Sequence, residues 1–179
     1  MIPGGVEAET MIRTIVKYGD PVLETPAEPV TEFNDELRQL VDDMFETMYA
    51  AQGVGLAAPQ IGILKQLIVI DTTFKEDPEG KIVLINPTIT HADGRQTGEE
   101  GCLSFPGLKE KVTRPARVTV RHQELDGEWY ESSGEELLAR AFCHEIDHLH
   151  GDVFINHVSA LKRDLLKRKI RKLIKQGEW

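Results

Sequence analysis

Two histidines flank a glutamate in the sequence His144-Glu145-Ile146-Asp147-His148. On a helix with 100° per residue, positions i and i+4 lie about 40° apart, so both imidazoles leave the same face. Two histidines at this spacing, with a glutamate beside the first, are typical of a divalent metal next to a general base. Hydrogen-bonded core histidines are the ordinary alternative. Glu145, however, falls within the apolar arc of the helix, where a carboxylate is seldom left unpaired. The pattern predicts a metal hydrolase without saying which one.

The helix that must position these residues is predicted from about Gly134 to Leu149. Ser133 and Glu136 have the spacing of an N-terminal capping box. The apolar arc is predicted to contain Leu137, Leu138, Ala141, Phe142 and Leu149. The opposite, polar arc is predicted to contain Glu136, Arg140, Cys143, Asp147 and His150. Cys143 is therefore expected to be a free thiol on the outer side, and neither it nor His150 faces the metal.

A tight metal site needs a third protein ligand. The extended protease motif His-Glu-x-x-His-x-x-Gly-x-x-His fails here, because its last position is Phe154. Glu178, the only glutamate downstream of His148, stands beside the C-terminus and is a poor candidate. Cys102, Asp152 and His157 remain. Cys102 is preferred because it lies in a glycine- and carboxylate-rich stretch between predicted strands, but spacing alone favours it only slightly over His157.

The rest of the chain predicts an α+β fold. Asn34 is expected to cap a helix whose apolar stripe comprises Phe33, Leu37, Leu40, Val41, Met44, Phe45, Met48 and Tyr49. Strands are predicted at Met11–Lys17, Gln66–Asp71, Lys81–Thr90, Lys111–Thr113, Ala116–Leu125 and Glu128–Glu131. The second and third of these are expected to pair antiparallel, and Asp126-Gly127 to form a hairpin turn. Three glycines and a proline make Gly53–Gly62 irregular. Asp152–His157 is expected to be extended, and a terminal helix to begin at Ser159.

Length and composition limit the class of protein. With 179 residues, 40% of them hydrophobic and 28% charged, the chain fits one globular domain, expected at residues 11–179. Residues 1–10 form a tail of uncertain origin. They resemble neither a signal peptide nor a transit peptide, which favours a cytoplasmic protein with reduced cysteines. No apolar run approaches the ~20 residues of a membrane span.

Charge is distributed unevenly along the chain. The net charge of −9 argues against general nucleic-acid binding. Lys162–Lys175 nevertheless holds eight Lys or Arg against one Asp, a net of +7. This segment is interpreted either as a solvated helix face or as a local contact with an acidic partner.

Three ordered motifs identify a family. Gly53-Val54-Gly55-Leu56-Ala57-Ala58-Pro59-Gln60, Glu100-Gly101-Cys102-Leu103-Ser104 and His144-Glu145-x-x-His148-Leu149 resemble the motifs of peptide deformylase. The resemblance covers about Tyr18 to His157 and includes Asp20-Pro21-Val22-Leu23. One departure is Cys143, where many members carry glutamine.

This resemblance implies removal of the formyl group from the N-terminal formylmethionine of newly synthesised polypeptides, with release of formate. Cys102, His144 and His148 would bind one divalent metal, for which the family favours Fe²⁺. A His₂Cys set also accepts Zn²⁺, Ni²⁺ or Co²⁺. Glu145 would be the general base. The remaining roles implied are an oxyanion site made by the Gln60 amide and the Leu103 backbone N–H, a backbone contact at Gly55, and a methionine pocket lined by Val54 and Leu137.

The resemblance and the pattern together predict antiparallel sheets packed around a central metal-binding helix, with a further helix at the C-terminus. Expected partners are nascent N-formylmethionyl polypeptides and, through the basic terminal helix, the ribosome; a monomer without membrane attachment is expected. Two other classes remain open. A zincin-type endopeptidase would cleave internal bonds with a third ligand other than Cys102. A non-catalytic protein with a structural metal would close the fourth position and have no use for a buried Glu145.

Overall fold

The structure is a computed structural model, and it describes residues 9–179. Apart from Glu9 and Thr10, the predicted N-terminal tail lies outside the described residues. Helices are α1 Asp35–Ala50, α2 Glu136–Leu149 and α3 Ala160–Lys175, with short 3₁₀ turns at Pro21–Glu24, Ala58–Ile61 and Phe154–His157. Strands are β1 Gly55–Ala57, β2 Leu67–Ile70, β3 Ile82–Asp93, β4 Gln96–Gly101, β5 Lys109–Arg114, β6 Arg117–Gln123 and β7 Trp129–Glu135. The α+β class is confirmed.

The strands form two antiparallel groups. Five of them make one sheet in the order β1-β2-β3-β6-β7, and β4 pairs with β5 separately. The predicted antiparallel pairing of β2 with β3 is confirmed, with Leu67 opposite Ile85. The predicted turn between β6 and β7 is also confirmed, and Gly127 there has a φ of +78°, which suits glycine.

Helix α2 is the central element. It contacts β1, β2, β6 and β7 of the large sheet and also β5 of the small one. Phe142, Ile146 and Leu149 are buried in one apolar cluster with residues of the large sheet. Because sheets cover this helix on more than one side, its inward-facing polar residues are withdrawn from solvent.

Helix α1 covers a second apolar cluster. The predicted stripe is confirmed, since Leu37, Leu40, Val41, Met44, Phe45 and Met48 are buried against β1, β2 and β3. Its predicted cap is confirmed as well, because Asn34 Oδ1 accepts a hydrogen bond from the Leu37 N–H at 3.0 Å.

The C-terminal helix packs on a third cluster around Phe105. Ile170 of α3 is buried there. Trp179, just beyond the helix, packs edge-on against Phe105 and donates its indole N–H to the Tyr18 carbonyl at 2.8 Å. The predicted helix start is confirmed by Ser159, whose hydroxyl caps Lys162 N. Part of the predicted apolar side faces solvent instead: Leu161, Leu165 and Ile174 are exposed.

The predicted start of α2 is wrong. Strand β7 continues to Glu135, which lies opposite Arg117 of β6. Ser133 is thus a strand residue whose hydroxyl meets that of Thr119 at 2.8 Å, and no side chain caps the helix. Pairing with β6 overrides the local capping signal.

The prediction of an outer polar arc on α2 is wrong at two positions. Cys143 is 5% exposed and packs in the first apolar cluster, and Arg140 is 7% exposed. Arg140 is buried because β4 and β5 cover its side of the helix, where it bonds to Glu100 and to the Val112 carbonyl. Cys143 is buried because it packs in the apolar cluster that the helix forms with the large sheet. Glu136 and His150 are exposed as expected.

Three smaller predictions also fail. Residues 11–17 form no strand, because this extended segment bonds to side chains of α1, with Met11 N donating to Asp43 and Arg13 N to Thr47. The region predicted to be irregular contains β1, whose Gly55 lies opposite Ile70. Phe154–His157 forms a 3₁₀ turn rather than an extended segment. In the described chain, none of the helices has the length and apolar character of a membrane span.

Candidate metal centre

One sulfur and two imidazoles converge beside α2. Donor atoms of Cys102, His144 and His148 all lie within 4.8 Å of one another. Cys102 directly follows the last residue of β4, and its Sγ is 3.4 Å from Nε2 of His148. Around a tetrahedral ion with ordinary metal–sulfur and metal–nitrogen bonds, two such donors are about 3.5 Å apart. The donor set therefore fits one small divalent cation.

Glu100 orients the first histidine. Its Oε2 lies 2.8 Å from Nδ1 of His144, which leaves Nε2 of that ring for a metal. Arg114 holds both carboxylate oxygens of Glu100, through Nε at 3.0 Å and Nη2 at 2.7 Å. Arg140 adds a further bond at 3.0 Å. This buried ion cluster fixes the ring that the metal needs.

Sequence reasoning missed this cluster, although two signals were available. Glu100 stands two residues before Cys102, and side chains at that spacing on an extended segment point to the same side. Arg140 stands four residues before His144 and so shares its helix face. Each element thus brings a supporting charged residue together with its ligand.

Burial and neighbouring charges shift the pKa values of Glu100, His144 and His148. Burial alone would raise the pKa of Glu100, but its bonds to His144 and Arg114 hold that pKa well below its usual range. Burial alone would lower the pKa of His144, but charge on the Cys102 sulfur and on Glu100 raises it well above its usual value. Burial and the charge of His144 lower the pKa of His148 to about 3. His148 is therefore a neutral imidazole at neutral pH, which is the form of the ring that binds a metal.

Glu145 is a buried carboxylate beside these donors. Within residues 9–179 its Oε2 has no hydrogen-bond partner, and burial raises its pKa to about 7. A carboxyl with a pKa near neutrality can both accept and return a proton. Gly55 makes room for it, because a Cβ at that position would lie 2.8 Å from Glu145 Oε1. Gly55 thus leaves the space that the Glu145 carboxylate occupies, a role that the sequence did not indicate.

Two N–H donors flank the sulfur. The Gln60 Oε1 accepts a hydrogen bond from the Ala57 N–H at 3.0 Å, so the amide nitrogen faces the site. That nitrogen lies 3.5 Å from Cys102 Sγ and 3.2 Å from Ser104 Oγ. The backbone N–H of Leu103, the residue that follows Cys102, has no hydrogen-bond partner in the described part of the chain. The Leu103 N–H is therefore available to an anion, whereas the Gln60 nitrogen would have to exchange one of its two hydrogen bonds for it.

A cavity of about 850 Å³ opens onto Cys102, His144 and Glu145. Val54, Gly55 and Leu137, the residues expected to bind substrate, also line it. Leu137 is 46% exposed and therefore stands at the mouth rather than on the floor. The cavity is large enough for a methionine side chain together with part of a peptide.

The competing ligands lie elsewhere. Nε2 of His157 is 2.7 Å from Asp152 and 3.2 Å from Asp147, in a partly exposed cluster whose Asp147 also receives a bond from Arg114. Neither His157 nor Asp152 belongs to the donor set with the two helix histidines. Burial raises the pKa of Cys143 to about 11, so this thiol stays protonated in the core.

Comparison with known proteins gives one consistent result. Residues 12–164 match the family described as polypeptide deformylase. A peptide deformylase of Acidobacterium capsulatum is 69% identical over 169 residues, covering 94% of this chain and 99% of the relative. One of Thermodesulfovibrio yellowstonii is 49% identical, covering 89% and 97%. The crystal structure of a peptide deformylase from Legionella pneumophila superposes with a TM-score of 0.86 at 44% identity, covering 93% and 97%. A structure from Synechococcus elongatus in complex with actinonin gives 0.83 at 42% identity, covering 92% and 88%.

Proposed function

The chain belongs to the polypeptide deformylase family, a hydrolase that removes the N-formyl group from nascent polypeptides, and we propose that Cys102, His144, His148 and Glu145 form its reaction centre. The observation that carries this proposal is the convergence of one sulfur and two ring nitrogens on a cavity that also contains a buried carboxylate. We further propose that residues 11–179 act as one catalytic domain.

Cys102, His144 and His148 would hold the one divalent metal on which the family depends. When bound, such a cation lowers the pKa of water from ~16 towards ~7 and polarises a carbonyl oxygen. We propose Fe²⁺ as the working metal, and the same donors accept Zn²⁺, Ni²⁺ or Co²⁺. Glu100 supports the set by fixing the His144 ring.

Glu145 moves the proton. Hydrolysis adds the oxygen of water to the formyl carbon and breaks the bond from that carbon to the methionine nitrogen. The unpartnered Oε2 of Glu145 is placed to accept the proton from the attacking water and to return it to the leaving nitrogen. The products are formate and a free amino terminus, so atoms and charge balance without any other reactant.

Gln60 and Leu103 stabilise the negative charge that develops on the formyl oxygen. The Ala57 N–H holds the Gln60 amide with its nitrogen towards Cys102, so the side chain does not have to turn during the reaction. The Leu103 N–H is the second donor. Each preorganised donor of this kind is typically worth ~3 kcal/mol in the transition state.

The cavity wall would bind the substrate chain. Among the strands of residues 9–179, β1 pairs with β2 on one side only, which leaves its other edge for an extended peptide. Gly55 lies on that strand, and Val54 and Leu137 offer apolar surface to the methionine side chain. Close backbone approach at Gly55 suits both the substrate and Glu145.

The substrate also suggests where the protein works. Because nascent chains emerge from the ribosome, we propose a cytoplasmic protein that contacts the ribosome through α3, and we propose that it is a monomer. Of its basic residues, Lys162 is paired with Glu110 at 2.9 Å. Arg168, Lys169, Arg171, Lys172 and Lys175 are exposed as well.

A peptide assay tests the proposed function. The purified chain, loaded with Fe²⁺ without oxygen, is incubated with formyl-Met-Ala-Ser, and formate and the free amino terminus are measured. Equal release of both, abolished in Glu145→Ala, is the expected result. Cleavage of an internal bond would identify an endopeptidase instead. No reaction in a protein that has bound metal would indicate a structural site.

A further inference from the structure

Phe74 is a large apolar side chain at the mouth of the reaction cavity. It lines the same cavity as Cys102, His144 and Glu145 and is 58% exposed. Leu137 is the other large exposed apolar residue of that lining. A single exposed phenylalanine on a protein surface is ordinary. Phe74 differs from such a residue in its backbone conformation and in its position at the cavity mouth.

The backbone at Phe74 is left-handed. Its φ is +53°, and that of Lys75 is +70°. Bulky side chains rarely adopt this conformation, and it persists only where the surroundings enforce it. Residues with such a strained backbone are concentrated at ligand-binding sites.

Asp71 enforces the conformation. One carboxylate oxygen accepts bonds from the Thr73 N–H at 2.9 Å and the Thr73 hydroxyl at 2.6 Å. The other accepts from the Tyr49 hydroxyl and, at 3.3 Å, from the Lys75 N–H. Lys75 then folds back, with its ammonium 4.3 Å from the centre of the Tyr49 ring. The residues on either side of Phe74 are thus tied to the protein, while the phenyl ring is left at the cavity mouth.

The orientation of the bound polypeptide determines which of its residues Phe74 can contact. The formyl group must reach Cys102, His144 and Glu145, so the polypeptide leaves through the mouth. An extended chain advances about 3.3 Å per residue, which places the residues just after formylmethionine at the rim. Glu99 and Lys109 also line the cavity and carry opposite charges, so the lining has no single charge preference there.

We propose that Phe74 is a specificity residue, and that it contacts an apolar side chain at the second or third residue of the formylated polypeptide. This inference rests on the proposed function, because it assumes that the formyl group reacts at the cavity floor. The contact is made in the bound substrate and persists through the reaction. It therefore acts on KM more than on kcat.

The test compares two peptide series, formyl-Met-Xaa-Ser and formyl-Met-Ala-Xaa, with Xaa either Phe or Ser. Phe74→Gly is the main variant, because glycine adopts the left-handed backbone without strain and so keeps the loop. Phe74→Leu retains an apolar side chain. Trp129→Ala is the matched control, since Trp129 is an exposed aromatic residue of β7 outside the cavity lining. Thermal unfolding checks that each variant is folded.

In the wild type, kcat/KM should favour Xaa = Phe over Ser in at least one series. In Phe74→Gly that ratio should fall about tenfold, the effect of losing on the order of 50 Å² of buried apolar surface, mainly through KM. Phe74→Leu should retain part of the preference and Trp129→Ala all of it. An unchanged ratio in Phe74→Gly for both series, or an equal loss for all peptides, would overturn the inference. Inactive wild-type protein would instead count against the proposed function.

Discussion

Glu100 Oε2 lies 2.8 Å from Nδ1 of His144, and this contact joins a buried ion cluster to the candidate metal centre. The carboxylate comes from the strand that precedes Cys102, and the imidazole comes from α2. One contact therefore aligns the two elements that carry the three donors. Its loss should affect metal binding before it affects any other property of the site.

Glu100→Gln should weaken metal binding roughly 10- to 100-fold, because the His144 ring loses the charged acceptor that fixes it. The same change leaves Arg140 without a carboxylate and Arg114 with Asp147 alone, so the free energy of unfolding should fall by about 3 kcal/mol. Metal retention against a chelator and denaturant unfolding measure the two effects. Glu99→Gln, an exposed neighbour, is the control. Wild-type metal affinity in Glu100→Gln would refute the supporting role.

Glu145→Ala should retain the metal and lose about 10²- to 10⁴-fold in kcat, because the proton acceptor is gone while the donors remain. Metal analysis and formate release on the same preparation provide both numbers. A metal-loaded Glu145→Ala protein with ordinary turnover would remove this residue from its proposed role.

Cys102→Ala should lose bound metal, whereas Cys143→Ala should keep it. The two thiols differ in place, since Cys102 lies beside His148 and Cys143 is packed in the core. Cys143→Ala should instead lower the free energy of unfolding by about 1 kcal/mol, the effect of a small core cavity. Metal content of the two purified variants decides the question, and loss of metal from both would mean that the ligand assignment is wrong.

Asp43 should make stability depend on acid pH. Burial alone would raise the pKa of Asp43, but bonds from the Met11 N–H, Gln39 and Arg13 hold it below its usual value. The unfolded chain has the higher pKa, about 3.9, and so binds more protons in that range. The contribution is therefore complete above about pH 5 and is lost as the pH falls through the lowered folded value.

Asp43→Asn should lower the free energy of unfolding at pH 7 by about 1 to 3 kcal/mol, because a buried charged acceptor is lost. The difference from the wild type should shrink when denaturant unfolding is repeated at pH 3. Asp42→Asn, an exposed neighbour on α1, should change little at either pH. A difference that stays constant with pH would contradict the explanation.

Ribosome contact through α3 is best tested without truncation. Ile170 is buried and Trp179 bonds to Tyr18, so deletion from Ser159 would remove part of the core as well as the charges. Lys169→Gln combined with Lys172→Gln removes two exposed charges and should reduce salt-sensitive cosedimentation with ribosomes. Lys65→Gln with Arg95→Gln is the charge-matched control. Equal cosedimentation of the two double variants would end the proposal.

The local parts of the site could be predicted from the sequence. Helical spacing placed His144 and His148 together and put Glu145 inside, and the capped stripe of α1 was correct. The third ligand was harder, because Cys102 and His148 are 46 residues apart and their meeting depends on how β4 packs against α2. Spacing alone could hardly separate Cys102 from His157.

Errors arose where one element covers another. A helical wheel describes the faces of a single helix, so it could not show that β4 and β5 bury Arg140 or that Cys143 lies in the core. The Ser133 capping signal failed for a related reason, since pairing of β7 with β6 outweighs a local cap. The space that Gly55 leaves for Glu145 is likewise a tertiary contact with no sequence pattern of its own.

X-ray absorption on the metal-loaded protein tests the central claim most directly, because it reports the atoms bound to the ion. One sulfur at ~2.3 Å and two imidazole nitrogens at ~2.0–2.1 Å are predicted, with the sulfur contribution absent in any metal that Cys102→Ala retains. A fully loaded, active protein whose spectrum contains no sulfur ligand would contradict the account.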